Sequence, residues 1–338
     1  MKGPLKAVLT ATTLFISITA ESSTLEKVLK KKFVQCGVSQ GLPGFSTPDA
    51  KGHWSGIDVD VCRAIAAAVL GDANKVKYTP LSSKERFTAL QSGEVDVLSR
   101  NTTWTLVRDS ALGLDFAGVT YYDGQGFMVR KKLGIKSAKE LDGATICVNS
   151  GTTTELNVAD YFRANHMKYK LVSIEKTDEV VAAYDAGRCD VWTTDQSGLY
   201  ANRIKLKNPN DHIVLPEVIS KEPLGPVIRH GDNQWGDVVR WVLYAMLEGE
   251  ELDINSKNVD QLKKSSKNPA VLRLLGEEGD AGKSLGLEKD WAYKVIKQVG
   301  NYSEIFARNL GPSSTLKIAR GLNNLWNKGG LQYPMPVR

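Results

Sequence analysis

The sequence is poor in the residues that most often do chemistry. Among 338 residues there are four cysteines and four histidines, and no two cysteines form a Cys-x-x-Cys pair. None is spaced with a histidine in a zinc pattern, so no metal site is expected, and no cofactor. Long apolar runs are missing too: beyond residue 20 there is no stretch of about 18 apolar residues, and the mature protein is expected to be soluble. Charge of one sign is not in excess, since 44 basic residues interleave with 38 acidic ones, and nothing calls for nucleic acid as a partner. The Gly-x-Ser-x-Gly elbow of a serine hydrolase is absent. The stretch from Gly276 to Ser284 carries Glu277 where a phosphate loop needs glycine, and Gly124-Gln125-Gly126 lacks the third glycine of a dinucleotide fingerprint. The four histidines fall in polar, loop-like contexts and are expected at the surface.

What is present is an ordinary globular composition, 42% hydrophobic and 24% charged, in a chain long enough for two domains. Lys2 and Lys6 precede an apolar run from Ala7 to Ala20, the pattern of a cleaved signal peptide over residues 1–20. In an exported protein the even count of Cys36, Cys62, Cys147 and Cys189 favours two disulfides over free thiols.

An internal repeat organises the chain. Ala89-Leu90-Gln91-Ser92-Gly93-Glu94-Val95-Asp96-Val97 matches Ala183-Tyr184-Asp185-Ala186-Gly187-Arg188-Cys189-Asp190-Val191 at alanine, glycine, aspartate and valine. Each copy leaves a helix through a glycine, which enters the left-handed conformation cheaply, and starts a strand. Upstream, the strands Phe33–Ser39 and Ala144–Ser150 also correspond, and capping-box signatures open helices at Ser82–Glu85 and Thr152–Glu155. Alternating strands and helices imply an α/β fold with a parallel sheet in each half. Each half owns two cysteines, so the pairs Cys36–Cys62 and Cys147–Cys189 are expected. Glycine-punctuated extended segments read as two crossovers, residues 116–127 and 213–221. They join lobe 1, residues 25–122 and 222–338, to lobe 2, residues 128–217. Two crossings make a hinge, with the ligand crevice at the strand carboxyl ends. Trp291, Tyr302, Phe306 and Leu310, then Ile318, Leu322 and Trp326, fall at helical spacings and predict a C-terminal extension of two amphipathic helices packed on a lobe.

The loop Asn101–Arg108 follows the strand Val95–Leu98 and brings hydroxyls and a guanidinium to the crevice. Arg108 can hold a carboxylate bidentately. From the other half, Ser150-Gly151-Thr152-Thr153 at a helix N-terminus offers N–H groups and hydroxyls to the same carboxylate, and Asp195 offers a negative charge to an ammonium. A zwitterion is matched from both sides.

The combination of Gly56-Ile57-Asp58-Val59-Asp60, Thr105-x-x-Arg108, Ser150-Gly151-Thr152-Thr153-x-Glu155 and Gly187-Arg188-x-Asp190 with Asp195 resembles the polar amino-acid-binding proteins of bacterial ABC importers, solute-binding protein family 3. The cysteine positions and the stretches Val299–Phe306 and Ile318–Asn323 are most similar to its general L-amino-acid-binding subgroup. The resemblance implies a type II periplasmic-binding-protein fold, with Arg108 on the ligand α-carboxylate, Thr102 and Thr103 near the amino group, Thr152 and Thr153 on the carboxylate, and Asp195 on the amino group. Leu42 stands where many relatives carry an aromatic lid, with Phe45 and Trp54 nearby, which argues against cation stacking and a narrow preference for basic side chains. The implied function is capture of free L-amino acids with broad specificity in the periplasm and delivery to an inner-membrane ABC permease, by a monomer that is not an enzyme. The alternatives are a narrow glutamate/glutamine-type binder, a dehydratase on the same fold, or a sensory module reporting to a membrane partner.

Overall fold

The computed structural model describes residues 23–338, and the expected signal peptide lies outside the described residues. Two five-stranded sheets share one plan. In the first, Val76–Leu81, Val34–Ser39 and Val97–Leu98 run parallel, and Val227–Arg229 lies antiparallel between Val97–Leu98 and Leu114–Phe116. In the second, Tyr169–Ile174, Ala144–Asn149 and Val191–Asp195 run parallel, and Gln125–Arg130 lies antiparallel between Val191–Asp195 and His212–Val214. Each sheet is therefore mixed, because the chain re-enters it from a crossover in the opposite sense.

The crossovers pair with each other: Tyr121–Asp123 lies antiparallel to Glu222–Leu224, forming a two-stranded ribbon between the sheets. His212–Val214 belongs to the second sheet, so the return crossing runs from Leu215 to Glu222 rather than starting at residue 213. Gly93 and Gly187, at the same place in the two repeat copies, have φ of 80° and 81°. A Cβ there would be strained.

Disulfides join Cys36 to Cys62 and Cys147 to Cys189, each within its own lobe. Loops of 26 and 42 residues are closed, each contributing about 3–4 kcal/mol in the chain-entropy model. The helix Ile57–Leu70 is apolar nearly all round and is buried between the first sheet and the helices Asn233–Glu251, Trp291–Gln298 and Tyr302–Asn309. Trp235, Trp291, Tyr302 and Phe306 share its core. The C-terminal stretch departs from the helical expectation after Leu310: only single 3-10 turns form at Gly321–Asn323 and Trp326–Lys328, and Leu322 and Trp326 are exposed. Asn323 here grips the crossover, its side chain accepting the Tyr122 N–H at 2.7 Å and donating to the Tyr122 carbonyl at 3.1 Å. The Tyr302 hydroxyl adds a bond to the Thr120 carbonyl at 2.7 Å.

Two local expectations change. The Ser82–Glu85 box is present, with Ser82 N–H donating to Glu85 and Glu85 N–H to Ser82. At Thr152–Glu155 it is not: Thr152 donates its hydroxyl to the Asn149 carbonyl, and Glu155 accepts from the Gly151 N–H instead. His212 is buried rather than at the surface, where its ring meets the Tyr184 hydroxyl at 3.0 Å and burial lowers its pKa. A histidine in an edge strand reads as polar loop when its neighbours are Asp211 and Asn210's flanking turn residues.

Candidate functional site

Both sheets point their parallel carboxyl ends at one cleft, the expected crevice of such α/β halves. From the first lobe come Ser39 and Leu42, Ser83, Arg86, Arg100, Asn101 and Thr103; from the second come Asn149, Thr152–Thr154, Thr177, Thr194 and Asp195. The lobes meet across it, leaving about 60 Å³ of free space in a cleft that stays partly open. Contacts across the mouth include Ser82 to Glu175 at 3.0 Å and the Lys205 ammonium on the Gly41 carbonyl at 2.6 Å.

On the first lobe the chain turns sharply after Val97–Leu98. Asn101 sits at φ 33°, a left-handed backbone that costs a non-glycine residue about 1 kcal/mol or more. Its N–H is anchored on Asp58 at 2.9 Å, and burial pushes that carboxyl up to about 7 against the Asn101 bond and the Arg100 charge. Three buried guanidiniums follow. Arg100 donates to the Leu81 carbonyl at 3.0 Å and to Ser83 at 3.1 Å, and burial lowers its pKa to about 10. Arg108 donates to the Thr103 carbonyl at 2.9 Å and lies over the Phe87 ring. Burial lowers its pKa, while Glu222 and Asp195 oppose that shift. Arg86 makes only a 3.4 Å bond to Thr102, and its Nε has no hydrogen-bond partner among the described residues. Burial, then Arg100 and Arg108, drive its pKa well below the usual range.

On the second lobe, Gly151 turns at φ 74° into the helix Thr153–Ala164. The first-turn N–H groups of a helix lack intrahelical acceptors, so this end favours an anion. Asp195 ends the strand Val191–Asp195 and is buried. Burial and the nearby Asp123 and Glu222 carboxylates push it well above the ordinary carboxylate range, while Arg108 and Arg86 pull the other way. Asp123, held by the Ser197 hydroxyl and the Gly124 N–H, is pushed up to about 6, chiefly by burial.

Of the residues expected from the sequence, Leu42, Thr103, Thr152, Thr153 and Asp195 line the cleft together. Arg108 and Thr102 are buried beside the cleft-lining Thr103, Arg108 donating to the Thr103 carbonyl and Thr102 to the Arg100 carbonyl. Thr105 accepts the Arg108 N–H at 3.3 Å and so serves the loop. Phe45 is in the core, edge-on to Tyr121, and does not line the cleft. Arg86, Arg100 and Glu222 were not singled out by sequence reasoning. Arg86 opens the helix Arg86–Gln91 like any surface cation, and Glu222 sits in an unremarkable Lys-Glu-Pro stretch.

Comparison with known proteins places this geometry among relatives. The family model described as bacterial extracellular solute-binding proteins, family 3, matches residues 34–260. The general L-amino acid-binding periplasmic protein AapJ of Rhizobium johnstonii is 64% identical over 94% of both chains. The glutamate/glutamine/aspartate/asparagine-binding protein BztA of Rhodobacter capsulatus is 56% identical over 94% of both. A solved periplasmic binding protein of an ABC transporter from Brucella ovis, with glutathione bound, superposes with a TM-score of 0.92 at 62% identity, covering 94% of this chain and 100% of that one.

Proposed function

The chain belongs to the bacterial extracellular solute-binding proteins of family 3, and from that premise we propose that it captures free L-amino acids between its two lobes and presents them to an ABC permease. The observation that carries this reading is the division of charge: the cleft has guanidiniums on the first lobe and, on the second, both a helix N-terminus and the Asp195 carboxylate. A zwitterion is held fully only when both lobes touch it, so binding and closure are one event. Arg108 and the first-turn N–H groups take the carboxylate and Asp195 the ammonium. The paired crossover strands absorb the rotation.

The protein acts as a periplasmic monomeric carrier and not as a catalyst. Glu155, on the first turn of the second-lobe helix, is engaged by the Gly151 N–H and the Ser173 hydroxyl and so is not free to act as a general base for dehydration. A thermal-shift screen of the oxidised mature protein against twenty L-amino acids, several D-isomers and simple sugars tests the reading. Shifts with many L-amino acids, lost in Arg108→Ala and with ligand recovered unchanged, support it; silence across the panel overturns it.

A narrower reading is favoured by Arg86 and Arg100. Two buried cations line the cleft, and Arg86 lacks a strong partner. Side chains ending in a carboxylate or amide supply what they lack, so acidic and amide amino acids rank first within a broad range. If Arg86→Leu weakens L-glutamate and L-leucine equally, that ranking is wrong.

A further inference from the structure

We propose that Glu222 fixes the direction of the Thr103 and Thr153 hydroxyl protons and so turns both oxygens into acceptors for the ligand's ammonium, a role that rests on the zwitterion reading of the cleft. Glu222 lies on the return crossover strand, is 2% exposed and does not line the cleft. Its Oε2 accepts from Thr103 Oγ1 at 2.6 Å and from Thr153 Oγ1 at 2.9 Å; its Oε1 accepts from Asn157 Nδ2 at 2.7 Å and from Ser220 Oγ at 2.6 Å. The Ser220 oxygen itself accepts the Gln125 N–H at 3.2 Å, which leaves its proton for Glu222.

A carboxylate has about four lone-pair sites and no donor. Here four donors occupy them, and both threonine hydroxyls donate to it. A hydroxyl has a single proton. Once that proton is spent on Glu222, Thr103 and Thr153 show the cleft only lone pairs. They come from opposite lobes, and Asp195 lines the same space. Three acceptors then face the three N–H bonds of an ammonium. The Thr103 oxygen is held firmly, because the loop is stitched to the crossover by Trp104 N–H to the Pro223 carbonyl at 2.8 Å and Gly225 N–H to the Thr102 carbonyl at 3.0 Å. The Thr153 hydroxyl thereby moves from the ligand's carboxylate, where the family resemblance puts it, to its ammonium. Only its backbone N–H remains for the carboxylate.

The test compares L-glutamate with L-2-hydroxyglutarate, which keeps both carboxylates and replaces the ammonium by a hydroxyl. Dissociation constants are measured calorimetrically for the first and by displacement for the second, in the wild type, Thr153→Val and Glu222→Ala. Removing an acceptor from a charged donor costs roughly tenfold or more. The expected result is that Thr153→Val lowers the preference for glutamate over the hydroxy acid by about tenfold while hydroxy-acid binding holds. Glu222→Ala, which frees both protons to rotate, lowers it further. If Thr153→Val weakens both ligands by the same factor, its hydroxyl serves the carboxylate and the proposal fails. Thr153→Val decides the matter even if Glu222→Ala does not fold. A wild type that binds no L-amino acid would instead overturn the carrier reading.

Discussion

The two lobes share a strand plan and a disulfide each, yet they are built to different strengths. The first wraps Ile57–Leu70 in three further helices and a large core on one face of its sheet, with a small cluster on the other, whereas the second has two small clusters, one on each face. Charge divides just as unequally: the guanidiniums of Arg86, Arg100 and Arg108 sit on the first lobe, and Asp195 and the helix N-terminus on the second. The repeat supplies a scaffold, and the differences written onto it supply function. Only the two halves together bring guanidiniums, a helix N-terminus and Asp195 to one ligand.

That contrast can be broken most strongly at the C-terminal packing. Phe306→Ala removes a fully buried ring from the first lobe's core and is expected to cost about 3–5 kcal/mol. Calorimetry should show a lower first-lobe transition with the second lobe little changed. Asp195→Asn removes the second lobe's charge, and a loss of about 2–5 kcal/mol in amino-acid binding, thirtyfold or more in Kd, is expected by titration calorimetry. Cys147→Ser with Cys189→Ser should cost about 2–4 kcal/mol. With no added helical core to support it, the second lobe should then melt as a separate, earlier transition; a single cooperative transition would contradict the asymmetry.

Acidity sharpens the comparison more gently. Burial and its neighbouring carboxylates raise the pKa of Asp195, and on the proposed reading an arriving ammonium displaces its proton. Kd should therefore rise as pH falls, by at most about tenfold per unit, with proton release visible as buffer-dependent binding enthalpy. A pH-independent Kd would show that Asp195 does not meet the ammonium. Asp58, on the first lobe, is raised to about 7 from an ordinary value of 3.8. The folded state binds that proton more tightly, so stability declines as pH rises from about 4 to about 7 and is flat above. Asp58→Asn should flatten that slope in denaturant melts, the smallest of these effects.

How much could be read beforehand follows the same division. The repeat exposed the two halves, the glycine turns and the cysteine pairs, because those depend on local backbone chemistry and on sequence symmetry. The cleft positions of Thr103, Thr152, Thr153 and Asp195 were legible since each lies at, or a few residues beyond, a strand's carboxyl end. Arg86 and Glu222 were not: each acquires its role from segments distant in sequence, Glu222 from Thr103, 119 residues away, and Thr153, 69 away. The antiparallel return strands were missed for a related reason, since the direction in which a chain re-enters a sheet leaves no mark on apolar periodicity. Phe45 was expected beside the ligand through proximity to Leu42 in sequence, yet its ring is apolar enough to be drawn into the core against Tyr121.

The placement of Val227–Arg229 between Val97–Leu98 and Leu114–Phe116 sets a timetable. The second lobe is continuous in sequence and can assemble as soon as its residues have emerged. The first lobe must wait with a gap in its sheet until residue 229 arrives, and the grip of Asn323 on Tyr122 comes later still. During export, the half that begins the chain is thus the last to be finished, and it needs protection from aggregation for longest.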